Sequence, residues 1–101
     1  MQGHVDAVGE VLSIAPQSGF STFTIQMDEQ FDALLVEKGS IALDGVSLTP
    51  FHLAQGRFEV AVIPHTLRAT TLQRLQPGDK VNIEFDLLAK YVRKQLQERR
   101  H

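Results

Sequence analysis

The sequence predicts a small, mainly β domain whose strands form an antiparallel barrel. Six short runs of β-branched and aromatic residues alternate with turn-forming residues at close intervals, which is typical of such barrels. The chain has 101 residues, about the length of one domain with a single core. No repeat, linker or low-complexity segment divides it. We therefore treat residues 1–101 as one domain.

The first half of the chain carries four predicted strands and one short helix. The strands are His4–Ile14, Phe20–Met27, Ile41–Leu43 and Val46–Leu53. Gly9 indicates a bulge or bend in the first strand, and alternation of large apolar residues with threonines marks the second. Asp28 is suited to cap a helix that runs through Leu35, and Gly39 to end it. An Asp-Gly dipeptide predicts the turn between the last two of these strands.

The second half carries two predicted strands and two helices. The strands are Phe58–Ile63 and Lys80–Phe85. Between them, Pro64 is suited to begin a helical turn, and the run HTLRATTL predicts a single helix that ends at Leu72. A Pro-Gly-Asp turn precedes the last strand. Asp86 is expected to cap a final helix, from Leu87 to about Arg100.

Composition excludes several kinds of site. The chain has no cysteine, so a disulfide framework, a zinc-thiolate site and a thiol nucleophile are excluded. The histidines do not have the spacing of metal ligands, so we predict no metal site. No glycine-rich phosphate-binding loop is present either. A triad of Ser47, His4 and Asp44 is disfavoured because no nucleophile elbow surrounds the serine.

The sequence also predicts a cytoplasmic protein that does not enter a membrane. No apolar run approaches the roughly 20 residues that a spanning helix needs, and the N-terminus lacks the pattern of a secretory signal. The net charge is −2, yet residues 90–101 hold five Lys or Arg against one acid. We interpret these cations as partners of a helix dipole. No nucleic-acid partner is predicted, because only Tyr91 in this tail could stack on bases.

Four segments, in their order and spacing, resemble the lumazine-binding repeat of the riboflavin synthase family. They are QGHVDAVGEV at 2–11, KGSIALDGVSLT at 38–49, VIPHTLRATTL at 62–72 and PGDKVNIEFDLLAKYV at 77–92. The match is closest to the C-terminal of the family's two repeats, because the N-terminal repeat carries a cysteine in the segment that is GVSLT here. The resemblance implies a six-stranded antiparallel Greek-key barrel with short helices and a C-terminal α-helix. It also implies an excised half of a longer chain, with Met1 and His101 at boundaries that are not natural ends.

The resemblance further implies a transferase that acts on a flavin precursor. The family converts two molecules of 6,7-dimethyl-8-ribityllumazine into riboflavin and a pyrimidinedione by moving a four-carbon unit, without a metal or cofactor. Each active site lies between the N-terminal barrel of one subunit and the C-terminal barrel of another, so one repeat supplies half. The family is trimeric, and we expect a homo-oligomeric dimer or trimer here. A non-catalytic flavin- or lumazine-binding protein is the alternative.

The family's ligand-contacting positions fall on residues that the four segments contain. They are Gly3, His4, Val5, Lys38, Asp44, Ser47, Leu48, Thr49, Val62, Ile63, Pro64, His65 and Thr66. His4, Ser47 and Thr49 are the predicted catalytic residues, since an imidazole exchanges protons near neutral pH and hydroxyls two apart on a strand face one side. Three roles stay open: Asp44 as catalyst or turn former, Lys38 as ligand contact or surface lysine, and Thr66 as ribityl partner or helix cap.

Overall fold

A computed structural model describes residues 5–35 and 39–85, and over these ranges the fold is mainly β. The strands are β1 (Ala7–Gln17), β2 (Phe20–Gln26), β3 (Ile41–Leu43), β4 (Val46–Leu48), β5 (Pro50–Ala54), β6 (Arg57–Val62) and β7 (Lys80–Phe85). The helices are one α-helix, α1 (Pro64–Ala69), and two 3₁₀ helices, η1 (Glu29–Leu34) and η2 (Thr71–Arg74). Nowhere in these ranges does a helix have the length and apolar character needed to cross a membrane.

All seven strands belong to one antiparallel sheet, in the order β4-β3-β7-β1-β2-β6-β5. The two edge strands, β4 and β5, are separated in sequence by Thr49 alone. The sheet must therefore curl until its two edges lie side by side, and β4 does lie close to β6. After the run from β3 to β6, the chain returns to place β7 between β3 and β1.

The prediction of an antiparallel, mainly β fold is confirmed, and the count of six strands is wrong. The predicted strand Val46–Leu53 divides at Thr49: Val46–Leu48 pairs with β3, whereas Pro50–Ala54 pairs with β6. Pro50 explains the division, since a residue without an N–H cannot continue a hydrogen-bonded ladder. β5, which begins at Pro50, is accordingly an edge strand of the sheet.

Gly9 is required for close packing and does not form the bulge that the sequence predicted. The irregularity in the β1–β2 register lies between Val11 and Ser13 instead. A Cβ built on Gly9 would come within 2.9 Å of Gln26 O, of Ile25 Cγ2 and of Ile83 Cδ1. The absence of a side chain therefore allows β2 and β7 to pack against β1.

The core lies inside the curl of the sheet, where alternate residues of the long strands meet. Its most deeply buried members include Val11, Phe23, Ile25, Phe58, Val60, Val81 and Ile83. Removing each such side chain from water contributes about 1.5–3 kcal/mol. Among the described residues no polar or charged side chain is buried. The polar groups of these residues therefore lie on the outer face and at the ends of the curl.

The segment after β2 is a 3₁₀ helix, η1, with the predicted N-cap. Asp28 Oδ1 accepts from the amide of Gln30 at 2.9 Å. The helix ends at Leu34 because Leu35 is already extended, so the prediction that Gly39 stops it is wrong. Two contacts hold η1 in place. The ring of Phe31 stacks on that of Phe85 with centroids 5.8 Å apart, and both oxygens of Asp32 accept from Gly56 N at 3.1 Å.

The single helix predicted for HTLRATTL is wrong, because Thr70 interrupts it. Pro64 begins α1 as predicted, but Thr70 is extended and η2 follows it. The hydroxyl of Thr70 donates to the carbonyl oxygen of Thr66 at 2.8 Å and accepts from the amide of Leu72 at 3.3 Å. A side chain thus takes the backbone partners that a continuous helix would use. The predicted final helix, Leu87–Arg100, lies outside the described residues.

Candidate functional site

The candidate site begins where β4 passes into β5. Val46 and Leu48 pack against the core, so strand alternation turns Ser47 to the opposite side. Ser47 and Thr49 are both exposed, whereas Leu48 is half-buried. The two hydroxyls therefore face solvent near each other, and Leu48 supports them from below.

The C-terminal end of β6 lies beside this segment. Pro50 pairs with Val60, and the same register continued would set Thr49 opposite Ala61 and Leu48 opposite Val62. The closeness of β4 to β6 agrees with that continuation. The curl of the sheet thus brings the predicted segment at 47–49 next to the predicted segment at 62–66, although the two are distant in sequence.

The residues at 62–66 divide into a buried support and an exposed wall. Val62 is 1% exposed and belongs to the core, whereas Ile63 is 54% exposed. Pro64 and His65 are exposed and Thr66 is half-buried. These three form the first turn of α1, whose N–H groups have no acceptor within the helix. Ile63 is the N-cap, so Thr66 does not act as the cap.

Within the described ranges few large apolar side chains are exposed, and half of them belong to predicted site residues. The exposed large hydrophobic residues among those described are Val5, Val8, Phe20 and Ile63. Val5, which is 58% exposed, precedes β1 and is separated from β4 by β7 and β3. Three strand spacings amount to about 14 Å across a flat sheet. Val5, next to β1, and Ile63, at the end of β6, are therefore two separate exposed apolar side chains.

Asp44 occupies the tight turn between β3 and β4. Its φ is +48° and that of Gly45 is +84°, which is the left-handed pair of a two-residue hairpin turn. Its amide donates to the carbonyl oxygen of Asn82 at 2.8 Å, and its Oδ1 accepts from the amide of Asn82 at 2.7 Å. The turn-forming role that the sequence left open is thus realised in the structure. A ligand contact through the second oxygen stays a prediction.

Three predicted site residues, Gly3, His4 and Lys38, lie outside the described residues. The structure therefore leaves their roles as predictions. In the described ranges no three His, Asp or Glu side chains converge in a way that could hold a metal ion.

Sequence reasoning missed two groups that the structure shows. Asp6 Oδ2 accepts from the amide of Phe85 at 2.9 Å, beside the predicted N-terminal segment. On the outer face, His52 Nδ1 lies 2.6 Å from Glu59 Oε1, and the hydroxyl of Thr24 donates to Glu59 Oε2 at 3.3 Å. Asp6 could have been found from the sequence, because it directly follows Val5, a predicted site residue. No sequence signal marked His52, whose contact depends on an irregular register in β5.

The described residues thus form a small β domain, a curled antiparallel sheet with the exposed hydroxyls of Ser47 and Thr49 near its seam. Residues 2–86 match the family model described as the lumazine binding domain. The chain belongs to the lumazine-binding domain family.

Relatives with assigned names agree with this membership. The chain is 40% identical to a riboflavin synthase of Photobacterium phosphoreum over 96 residues, which is 95% of this chain and 44% of that protein. It is 45% identical to a riboflavin synthase of Mycobacterium tuberculosis over 95 residues, or 91% of this chain and 47% of that protein. A riboflavin synthase of Bacillus subtilis is 40% identical over 92 residues, or 91% and 43%. The chain thus spans about half the length of the relatives it matches.

Solved structures show the same fold. LumP complexed with 6,7-dimethyl-8-(1'-D-ribityl) lumazine superposes with a TM-score of 0.78 and 19% identity, covering 85% of this chain and 49% of that one. LumP complexed with riboflavin superposes with a TM-score of 0.74, also at 19% identity, covering 82% and 45%. At this identity the likeness concerns the fold.

Proposed function

We propose that this chain binds 6,7-dimethyl-8-ribityllumazine or riboflavin at the seam between β4 and β6. The observation that carries this proposal is the exposure of the Ser47 and Thr49 hydroxyls and of the Ile63 side chain, which the β5–β6 register, if continued beyond Pro50, brings together. A pteridine has apolar faces and a polar edge, and the ribityl chain carries hydroxyls. A surface with a few placed polar groups around apolar contacts is suited to such a molecule.

Each residue at the seam has a proposed part in binding. Ser47 and Thr49 donate to and accept from the polar edge of the ring. The free N–H groups in the first turn of α1 bind carbonyl oxygens, and Thr66, whose capping role is taken by Ile63, contacts the ribityl chain. Lys38, Gly3 and Val5 are further proposed ligand contacts, on the family resemblance alone.

We further propose that the bound lumazine is a substrate and that this chain contributes half of a site for its dismutation. One lumazine gives a four-carbon unit to a second, which yields riboflavin and a pyrimidinedione. His4 moves protons in this reaction, without a metal or cofactor. Two substrates have to be held face to face, so a second barrel is required, from another repeat or another copy in a homo-oligomer. Cytoplasmic residence is part of the same proposal.

A non-catalytic flavin- or lumazine-binding protein is the second candidate. It is favoured by the structural similarity to LumP, whose solved complexes contain lumazine, riboflavin or flavin mononucleotide. The two candidates predict the same binding and differ in turnover. An assay of riboflavin formation by a protein that carries both repeats separates them, because a binding protein releases its lumazine unchanged.

Fluorescence titration of riboflavin tests the shared binding step. We expect saturable quenching with one ligand per chain. Ser47→Ala should weaken binding by about threefold to tenfold, the effect of one lost hydrogen bond. Ser13→Ala is the matched control, because Ser13 is also an exposed strand serine but lies on β1 near its hairpin with β2. Wild-type protein that shows no saturable quenching up to millimolar concentrations would contradict the proposed function.

A further inference from the structure

Asp6 and Asp44 lie on opposite sides of β7, and each makes a backbone and a side-chain hydrogen bond to this strand. The amide of Asp6 donates to the carbonyl oxygen of Ile83 at 2.8 Å, and Asp6 Oδ2 accepts from the amide of Phe85 at 2.9 Å. Asp44 makes the equivalent pair of bonds with Asn82 alone. In both cases a carboxylate oxygen takes the place of a backbone carbonyl, and an aspartate amide donates to the strand.

The Asp6 contact lies beyond the regular part of the β1–β7 ladder. That ladder begins at Ala7, which is opposite Ile83. The same register would set Asp6 opposite Glu84. Its amide instead donates to the carbonyl oxygen of Ile83, one residue away from that position. The side chain of Asp6 then reaches the amide of Phe85, two residues further along β7. Where the chain enters β1, a backbone bond and a side-chain bond of Asp6 thus continue the contact with β7 beyond the regular ladder.

Phe85 also contacts two other segments of the fold, β3 and η1. It is opposite Ile41, the first residue of β3, and its ring stacks on Phe31 of η1. Its own side chain is buried, so its backbone has a defined position. The end of β7 therefore contacts three segments: the residues that lead into β1, the helix η1 and the start of β3.

We propose that Asp6 is a positioning residue for the ligand site. By accepting from the amide of Phe85, its carboxylate holds the backbone at the start of β1, directly beside the exposed and predicted ligand-binding residue Val5. Asp6 touches neither ligand nor reacting atoms in this role. The inference rests on the proposed function, because it assigns Asp6 to the binding of the same lumazine or flavin.

Asp32 is a matched control for this role. Its carboxylate also accepts from a backbone amide, that of Gly56, and it is also half-buried. Gly56 lies in the turn between β5 and β6, at the opposite end of β6 from Val62. Asp32→Ala therefore removes the same kind of bond from a part of the fold that does not adjoin the site.

The test combines riboflavin affinity with amide hydrogen exchange in the 101-residue chain. We expect Asp6→Ala to weaken riboflavin binding by about tenfold, because part of the binding free energy must then order the backbone beside Val5, and to speed exchange at Phe85. Asp6→Asn should bind within about twofold of wild type, since an amide oxygen can still accept from Phe85. Asp32→Ala should lose stability while its affinity stays unchanged.

Each alternative result is decisive. An Asp6→Ala protein that exchanges faster at Phe85 yet binds riboflavin as tightly as wild type would overturn the positioning role. Equal losses in Asp6→Asn and Asp6→Ala would also overturn it, because the charge rather than the accepted hydrogen bond would then matter. If Asp6→Ala does not fold, Asp6→Glu serves instead: its longer side chain displaces the acceptor, and unchanged affinity would contradict the proposal. Failure of wild type to bind would refute the proposed function itself.

Discussion

Asp44 and Asn82 exchange two hydrogen bonds across the end of the β3–β4 hairpin, at 2.8 and 2.7 Å. The first joins two backbones, whereas the second uses Asp44 Oδ1 as acceptor. One carboxylate oxygen is therefore committed to β7, and the left-handed backbone of Asp44 is the conformation that the turn requires. The position of Ser47, three residues further along, depends on this turn.

The first prediction separates the two roles of Asp44. Asp44→Asn should leave the free energy of unfolding within about 0.5 kcal/mol of wild type, because asparagine tolerates the left-handed region and its oxygen can accept from Asn82. Asp44→Ala should cost about 1–3 kcal/mol, since the amide of Asn82 loses its acceptor. Urea denaturation measures both. Weaker riboflavin binding by a fully stable Asp44→Asn protein would show a direct ligand contact.

The second prediction concerns the close approach of β2 and β7 to Gly9. Gly9→Ala should destabilise the fold by about 1–3 kcal/mol, because its Cβ would lie 2.9 Å from atoms of Gln26, Ile25 and Ile83. Gly19→Asn is the control: φ at Gly19 is +87°, which asparagine tolerates, and a Cβ there meets nothing within 4 Å. Urea denaturation of both variants is the measurement. Equal stability of Gly9→Ala and wild type would contradict this packing.

The strands were largely predictable from sequence, because alternation and turn residues are local signals. The boundaries of β2, β6 and β7 follow from such signals within one residue or so. Strand propensity alone did not reveal the division at Thr49; in the sequence only Pro50 marks it, and the strand with which each half pairs depends on the sheet order. The role of Gly9 was mispredicted for the same reason. Gly9 was expected to form a bulge or bend in β1, but its role is set by residues of β2 and β7 that are distant in sequence.

The candidate site was predictable only in part. Resemblance to a family supplied the segments, and strand alternation predicted that Ser47 and Thr49 face one side; both residues are exposed in the structure. That Val62 belongs to the core and Ile63 to the surface follows from the end of β6, a boundary that sequence set one residue too late. The Asp6 contact could not be derived, because a hydrogen bond between residues 79 positions apart requires the sheet order.

The third prediction concerns His52, whose φ is +51°. Replacement by glycine or by alanine removes the same bond to Glu59 and the same ring contact with Phe51. The difference between the two variants therefore reports the backbone. We expect His52→Gly to be more stable than His52→Ala by about 0.5–1 kcal/mol, because the penalty for a Cβ in the left-handed region exceeds the entropy that glycine loses on folding. Thermal or urea unfolding measures the sign, and a more stable alanine variant would contradict the left-handed backbone.

The fourth prediction concerns assembly. Five apolar residues recur at helical spacing in the predicted last helix: Leu87, Leu88, Tyr91, Val92 and Leu96. We expect this stripe to support a dimer or trimer, whose mass light scattering measures. Leu88→Glu places a charge in the middle of the stripe and should favour the monomer, whereas Gln97→Glu adds the same charge on the other side of the helix and should not. A monomeric mass for wild type at high protein concentration would count against a homo-oligomer.

The last prediction concerns catalysis. Alone, the chain should form riboflavin far more slowly than a protein with both repeats, because orientation of two substrates contributes much of the rate and only one of two unlike half-sites is present. If two copies associate with their sites facing, residual turnover is expected. His4→Gln should abolish that turnover and leave riboflavin affinity nearly unchanged, since glutamine retains hydrogen-bonding groups but cannot transfer the proton. His101→Gln, the same substitution at the last residue, is the control and should keep the residual rate. Single-turnover formation of riboflavin and fluorescence titration measure the two quantities separately. A His4→Gln protein that loses binding yet keeps its turnover at saturating lumazine would show that His4 holds the ring and that proton transfer belongs to another group.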